Sequence, residues 1–157
     1  AAVVKRSQCF FSSALTIRKE DEPTMKQPPK FFYCAHCSSL VQTLNETGVT
    51  PNCCGAPMSE LTPNTTEGAT EKHLPVAKIH DGCVHVCVGS AEHPMTEEHS
   101  IQWIYLETSC CGRFHPLSSS EPPRAEFPLG KEKPVAVYAY CNLHGLWKTD
   151  LASGSSQ

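Results

Sequence analysis

From residue 74 onward the chain reads as strands. In Val84-His85-Val86-Cys87-Val88 the valines fall on one face and the polar positions on the other, the period-two pattern of a half-buried strand. Leu74-Pro75-Val76-Ala77-Lys78-Ile79 predicts a strand just before it. Ile101 to Leu106 is apolar on both faces, as is the stretch from Pro134 to Cys141 that contains Val135-Ala136-Val137-Tyr138-Ala139-Tyr140. Both predict central strands of a sandwich. Pro and Gly turns interrupt throughout, no amphipathic helix of useful length appears, and there are no internal repeats. The pattern predicts an all-β sandwich.

The N-terminal part is patterned differently. Phe31-Phe32-Tyr33 and Leu40-Val41-Gln42-Thr43-Leu44 predict two short strands, with Asn45-Glu46-Thr47-Gly48 as a turn. Residues 25–62 are too few to bury a core without a staple, and a bound metal would supply one. Leu61 to Glu71 is a polar link. Residues 1–24 show neither strand alternation nor a helical face and end in the charged run Arg18-Lys19-Glu20-Asp21-Glu22-Pro23. One reading is a disordered tail; the other is that Met25 is the true start. The expected division is therefore an unassigned tail (1–24), a small metal domain (25–62), a β-sandwich (63–150) and a short tail (151–157).

Composition narrows the function. Among 157 residues, 18% are charged and the net charge is −3, with no Lys/Arg cluster longer than two adjacent residues. A nucleic-acid footprint is not expected. No apolar run approaches the roughly 20 residues of a membrane span. Lys5-Arg6 precede an apolar-leaning stretch from Cys9 to Ile17, but Ser12 and Ser13 interrupt it and no A-x-A site follows. A reducing cytoplasm fits better than export. The excess lies in ten cysteines and eight histidines.

Spacing turns this excess into metal chemistry. Cys34 and Cys37 form a C-x-x-C turn that brings two thiolates to one side, and the Cys53-Cys54 pair follows. Adjacent residues of a strand point to opposite faces, so Cys53 and Cys54 can share an ion only if the backbone bends sharply, which Gly55 permits. Zinc and iron use the same four sulfurs, and these residues alone leave both open. Five further candidates, His73, His93, His99, Cys141 and His144, all fall at strand ends or loops, where several strands can converge. Cys141 and His144 also invite a blue-copper reading, but the Leu146-Trp147-Lys148-Thr149 stretch offers no axial Met. His36, His80, His85 and His115 read as surface imidazoles.

Five motifs together resemble the desulfoferrodoxins, the two-iron superoxide reductases. They are Cys34-Ala35-His36-Cys37, Cys53-Cys54-Gly55-Ala56-Pro57-Met58, Glu71-Lys72-His73-Leu74-Pro75-Val76, His93-Pro94-Met95 with His99, and Tyr140-Cys141-Asn142-Leu143-His144-Gly145-Leu146-Trp147-Lys148. The resemblance runs from Met25 to about Asp150. It implies a desulforedoxin-like domain with a rubredoxin-type iron on Cys34, Cys37, Cys53 and Cys54, then an immunoglobulin-like sandwich with the catalytic iron. It places His73, His93, His99 and His144 in a plane around that iron, with the Cys141 thiolate axial. It further implies a homodimer that takes electrons from rubredoxin and reduces superoxide to hydrogen peroxide without releasing oxygen.

In the family the residue matching Glu71 can bind the ferric iron after turnover, and the one matching Lys72 sets a positive charge by the open position. Backbone N–H groups of the Asn142–His144 turn are expected to reach the Cys141 sulfur and tune it. Two departures stand out. Ser38 replaces the usual Gly after the second cysteine, and Cys110-Cys111-Gly112 sits where no cysteines are expected. Those two cysteines, with Cys9, Cys83 and Cys87, have no family role. The competing reading is a non-catalytic electron carrier or structural zinc or iron module that uses only the four-cysteine site.

Overall fold

The computed structural model describes residues 27–44 and 47–151. The expectations for residues 1–24, for Cys9, for the first half of the Asn45–Gly48 turn and for residues 152–157 lie outside the described residues. Three short strands, β1 (Lys30–Tyr33), β2 (Leu40–Thr43) and β5 (Ser59–Glu60), form an antiparallel sheet in the order β2-β1-β5. Between them β3 (Asn52–Cys53) and β4 (Ala56–Pro57) make a minimal hairpin. The only helix among the described residues is one turn, α1 (Thr70–His73).

Seven strands follow: β6 (Pro75–His80), β7 (Cys83–Val88), β8 (Ile101–Thr108), β9 (Gly112–Pro116), β10 (Arg124–Pro128), β11 (Pro134–Cys141) and β12 (Gly145–Asp150). They form two antiparallel sheets, β10-β7-β6 and β12-β11-β8-β9. The valines of β7 are buried as their alternation requires. They meet Ile101, Ile104, Leu106, Val137, Ala139 and Cys141 from the facing sheet in one apolar cluster. The expected two-sheet, immunoglobulin-like sandwich is what the chain forms.

The both-faces-apolar character of β8 and β11 has a specific cause. One face of each strand lines the sandwich interior. The other carries Trp103, Tyr105, Ala136, Tyr138 and Tyr140, which pack with Phe31 of β1. The small metal domain therefore covers the outer face of the four-stranded sheet. Gln42 reinforces this contact by donating to the Tyr105 hydroxyl at 3.0 Å.

Glu71, Lys72 and His73 lie in the helical turn α1 rather than in a loop or at a strand end. The Glu71 carbonyl accepts from the amides of Ser90 and Ala91, which ties that turn to the loop leading to His93. His99 lies just before β8, which starts at Ile101. A Thr96–His99 turn, closed by the amide of Thr96 on the His99 carbonyl and the amide of His99 on the Thr96 hydroxyl, precedes it.

Candidate metal centres

The first cluster is built by two tight turns. Cys34 ends the run out of β1, and the amide of Ser38 returns to its carbonyl at 2.8 Å. Ser38, where the resemblance leads one to expect Gly, has φ 60°. This left-handed conformation is why Gly is suited there. The second turn joins β3 to β4. Cys54 and Gly55 are its two central residues, with φ 51° and 78°, the double positive φ of a type I′ hairpin. That bend lets adjacent cysteines share one site. The donor atoms of Cys34, Cys37, Cys53 and Cys54 all lie within 4.8 Å of one another.

The thiols already share charge. Hydrogen bonds from the Ser39 hydroxyl and amide, then from Cys53 and Cys34, lower the Cys37 thiol to about 6. Hydrogen bonding to Cys37 and Cys34 raises Cys53. One ionised sulfur among close neighbours is a poised cation site.

The second cluster lies at one end of the sandwich. β11 and β12 are joined by the three-residue loop Asn142–His144, with Gly145 at φ 67°, a three-residue hairpin whose left-handed position suits glycine. This loop swings His144 back over Cys141, with Nδ1 3.5 Å from Sγ. His73 comes from α1, while His93 and His99 come from the loop between β7 and β8. The ring centroids follow a four-cornered circuit: His73–His93 4.7 Å, His93–His99 4.7 Å, His99–His144 4.9 Å and His144–His73 4.5 Å. The His73–His99 separation, at 6.2 Å, is a diagonal. Donor atoms of His73, His99, Cys141 and His144 fall within 4.8 Å of one another, and His93 stands outside that group, across the circuit from His144.

Hydrogen bonding fixes which nitrogen faces inward. His73 Nδ1 lies 2.8 Å from the Ala69 carbonyl and His93 Nδ1 2.6 Å from the Pro94 carbonyl. Each Nδ1 therefore carries the proton and donates it, leaving Nε2 as a bare acceptor. The Nε2 atoms of His73, His93 and His99 are all buried without a partner. Each such group costs about 1–3 kcal/mol. Two of them, on His73 and His99, share a cluster with the Cys141 thiol and His144, an arrangement a cation would satisfy.

Burial disfavours the charged imidazoles here and brings His93 down to about 4, while also lowering His73 and His99. It raises the Cys141 thiol, opposed by the amides of His144 and Leu143, as expected for that turn.

This predicts an acid sensitivity in the metal-free protein. Unfolded histidines, near 6.5, bind more protons than these buried ones, so stability is full above about pH 6.5 and is lost as pH falls toward 4. Denaturant melts of the metal-free chain should show a lower midpoint at pH 5 than at pH 7.5; an unchanged or higher midpoint would contradict the burial assigned here.

Glu71 and Lys72 are exposed beside this cluster. Their charges reach the rings: Lys72 disfavours protonation of His73 and His99, whereas Glu71 favours it at His73. A cleft of about 980 Å³ runs between the loop that carries His93 and the segment 119–124; Lys72 and His93 are on its wall, whereas His73, His99, Cys141 and His144 are not.

A family model described as Desulfoferrodoxin matches residues 65–150. The desulfoferrodoxin of Syntrophotalea carbinolica is 42% identical over 127 residues, covering 80% of this chain and 99% of that protein. That of Nitratidesulfovibrio vulgaris is 40% identical, covering 77% and 95%. The chain belongs to the desulfoferrodoxin family. The superoxide reductase of Treponema pallidum superposes with a TM-score of 0.68 at 31% identity, covering 79% of this chain and all of that one. Desulfoferrodoxins bind iron at two sites, one of cysteines and one of histidines with a cysteine, and this chain has both clusters.

Two positioning residues escaped the reading of the sequence. Asn142 accepts from the Ser100 amide at 2.9 Å and donates to the Glu98 carbonyl at 3.0 Å, clamping the His99 loop to the Cys141–His144 loop. Trp147 lies over His73, with centroids 5.0 Å apart, and its Nε1 donates to the His144 carbonyl. Both sit inside a quoted motif, but only the fold shows what they touch. Of the histidines read as surface groups, His36 and His80 are exposed. His85 and His115 are half-buried, and His85 pairs with Glu126 across the sheet.

Proposed function

We propose that this chain is a superoxide reductase, converting superoxide to hydrogen peroxide at the histidine–cysteine site. The observation that carries this is the gathering of His73, His99 and His144 around the buried Cys141 thiol, with the buried Nε2 atoms of His73 and His99 left without a partner. An electron carrier working through the four-cysteine site alone would have no use for that cluster. His73, His93, His99, His144 and Cys141 would hold the catalytic iron, and Cys34, Cys37, Cys53 and Cys54 the other. The bound catalytic iron would supply one electron to superoxide, and the Cys141 thiolate would make it more electron-rich.

The remaining work belongs to the protein. The Nδ1–carbonyl bonds of His73 and His93 fix ring orientation and tautomer. The amides of Leu143 and His144 offset part of the burial that disfavours negative charge on the Cys141 sulfur. Lys72 attracts the substrate anion toward the cluster. Glu71 offers a hard carboxylate that favours the oxidised centre, so Glu71→Ala alters the ferric absorption spectrum. Residues 25–62 and 63–150 act as the two metal domains, an external rubredoxin-like protein supplies electrons, and the chain works as a cytoplasmic homodimer.

Lys72 gives the sharpest test of substrate attraction. Steering by an exposed cation weakens as the Debye length falls from about 10 Å at 0.1 M salt to about 3 Å at 1 M. Lys72→Ala should slow the second-order reaction with superoxide at low salt and flatten its salt dependence, with both irons retained. Pulse radiolysis across a salt series reads this directly. A variant as fast as the parent at low salt would make Lys72 a bystander.

A further inference from the structure

The two clusters are joined by a pair of aromatic rings. Tyr33 ends β1 and immediately precedes Cys34; Tyr140 immediately precedes Cys141 on β11. Their ring centroids lie 6.4 Å apart with planes 37° from parallel, within the usual range of aromatic contact. The Tyr33 hydroxyl donates to the Ser38 hydroxyl at 3.1 Å. Ser38 directly follows Cys37 and holds the left-handed turn of the first cluster. Tyr33 is thus anchored at the four-cysteine site and reaches across the junction. Tyr140 is buried, with Trp103 stacked on it at 5.5 Å and an interplanar angle of 10°. Neither tyrosine has a part in the superoxide chemistry described above.

The donor sets also give the pair a direction. Four thiolates around one iron favour its ferric form through their negative charge. Four neutral imidazoles and one thiolate hold much less charge and favour the ferrous form. Net charge and ligand type are the levers that set such potentials. An electron therefore runs downhill from the four-cysteine site to the histidine–cysteine site.

We propose that Tyr33 and Tyr140 form the route for electron transfer between the two irons within one chain, an inference that rests on the superoxide reductase reading. One electron leaves the four-cysteine iron, which passes from ferrous to ferric. It arrives at the histidine–cysteine iron, which passes from ferric to ferrous. No bond forms or breaks, no proton moves between the sites, and the tyrosines bridge without being oxidised themselves. The external one-electron donor then restores the four-cysteine site. The small domain becomes an electron store for the catalytic one as well as a cover for its sheet.

The test uses the fully reduced two-iron protein, mixed in stopped flow with less than one superoxide per chain. A first, second-order phase reports oxidation of the histidine–cysteine iron. A second phase then shows ferric four-cysteine absorbance growing as the other ferric band fades, at a rate independent of protein concentration. Tyr33→Leu should leave the first phase and both reduction potentials unchanged and slow the second by an order of magnitude or more. Tyr33→Phe, which keeps the ring and loses only the bond to Ser38, should stay close to the parent.

A second phase proportional to protein concentration would overturn the proposal, as would an unslowed Tyr33→Leu with unchanged potentials. The same transfer is read without superoxide by giving the fully oxidised protein less than one equivalent of dithionite and following the electron between the two absorbance bands. Loss of the first phase alone would therefore count against superoxide reduction and leave the route to be judged by this second experiment.

Discussion

Cys141→Ser should abolish superoxide reduction while leaving the four-cysteine site spectrally intact. Cys141 is wholly buried at the end of β11, its donor atom within 4.8 Å of those of His73, His99 and His144. It is the one sulfur in that cluster. Serine keeps the shape but replaces a soft, electron-rich thiolate with a hydroxyl that stays protonated near neutral pH. Changing a mere outer partner of a metal ligand costs about 10–100-fold, so losing the thiolate itself should cost more than about 100-fold in the rate with superoxide. Separately measured absorbance of the two sites checks both halves of the claim. A variant reacting within a few-fold of the parent would remove Cys141 from the mechanism.

Phe31→Ala should be the most damaging change outside the clusters. Phe31 is 1% exposed. Its ring lies 5.1 Å from Trp103, 5.4 Å from Tyr105, 5.7 Å from Tyr138 and 6.0 Å from Phe114. Truncation leaves a cavity in the junction between the metal domain and the sandwich, and such losses cost about 3–5 kcal/mol. The inner core between the two sheets shares no residue with this junction cluster. The histidine–cysteine site should therefore still form, and the damage should appear first as easier unfolding of residues 25–62. Thermal melts with separate reporters for the two irons read this. A loss below about 1 kcal/mol would mean that the junction relaxes around the missing ring.

The parts of this architecture that obey a short-range period were open to reading from the residues. The valines of β7 alternate because one face is solvent and the other is core. The two-faced apolar strands β8 and β11 marked the centre of the sandwich, although what covers their outer face is a matter of tertiary packing and shows in no local pattern. The cysteine turns were legible for a stereochemical reason. Two adjacent ligands demand a reversal, and Gly55 is the residue that tolerates one.

The single helical turn at Thr70–His73 is too short to carry periodicity, so His73 looked like a loop residue. Asn142 carries no signal of its own clamp, because its partners lie more than forty residues away in sequence. The Tyr33–Tyr140 contact spans a still longer separation and belongs wholly to the docking of one domain on the other.

The central claim is that this chain reduces superoxide rather than dismutating it or merely carrying electrons. Its most direct test is product stoichiometry, with the reduced two-iron protein exposed to a known, limiting amount of superoxide while hydrogen peroxide and oxygen are quantified together. The account predicts one hydrogen peroxide for each superoxide consumed, no oxygen released, and loss of this consumption in Cys141→Ser. Oxygen release with half as much peroxide, or consumption of superoxide that persists in Cys141→Ser, would contradict it.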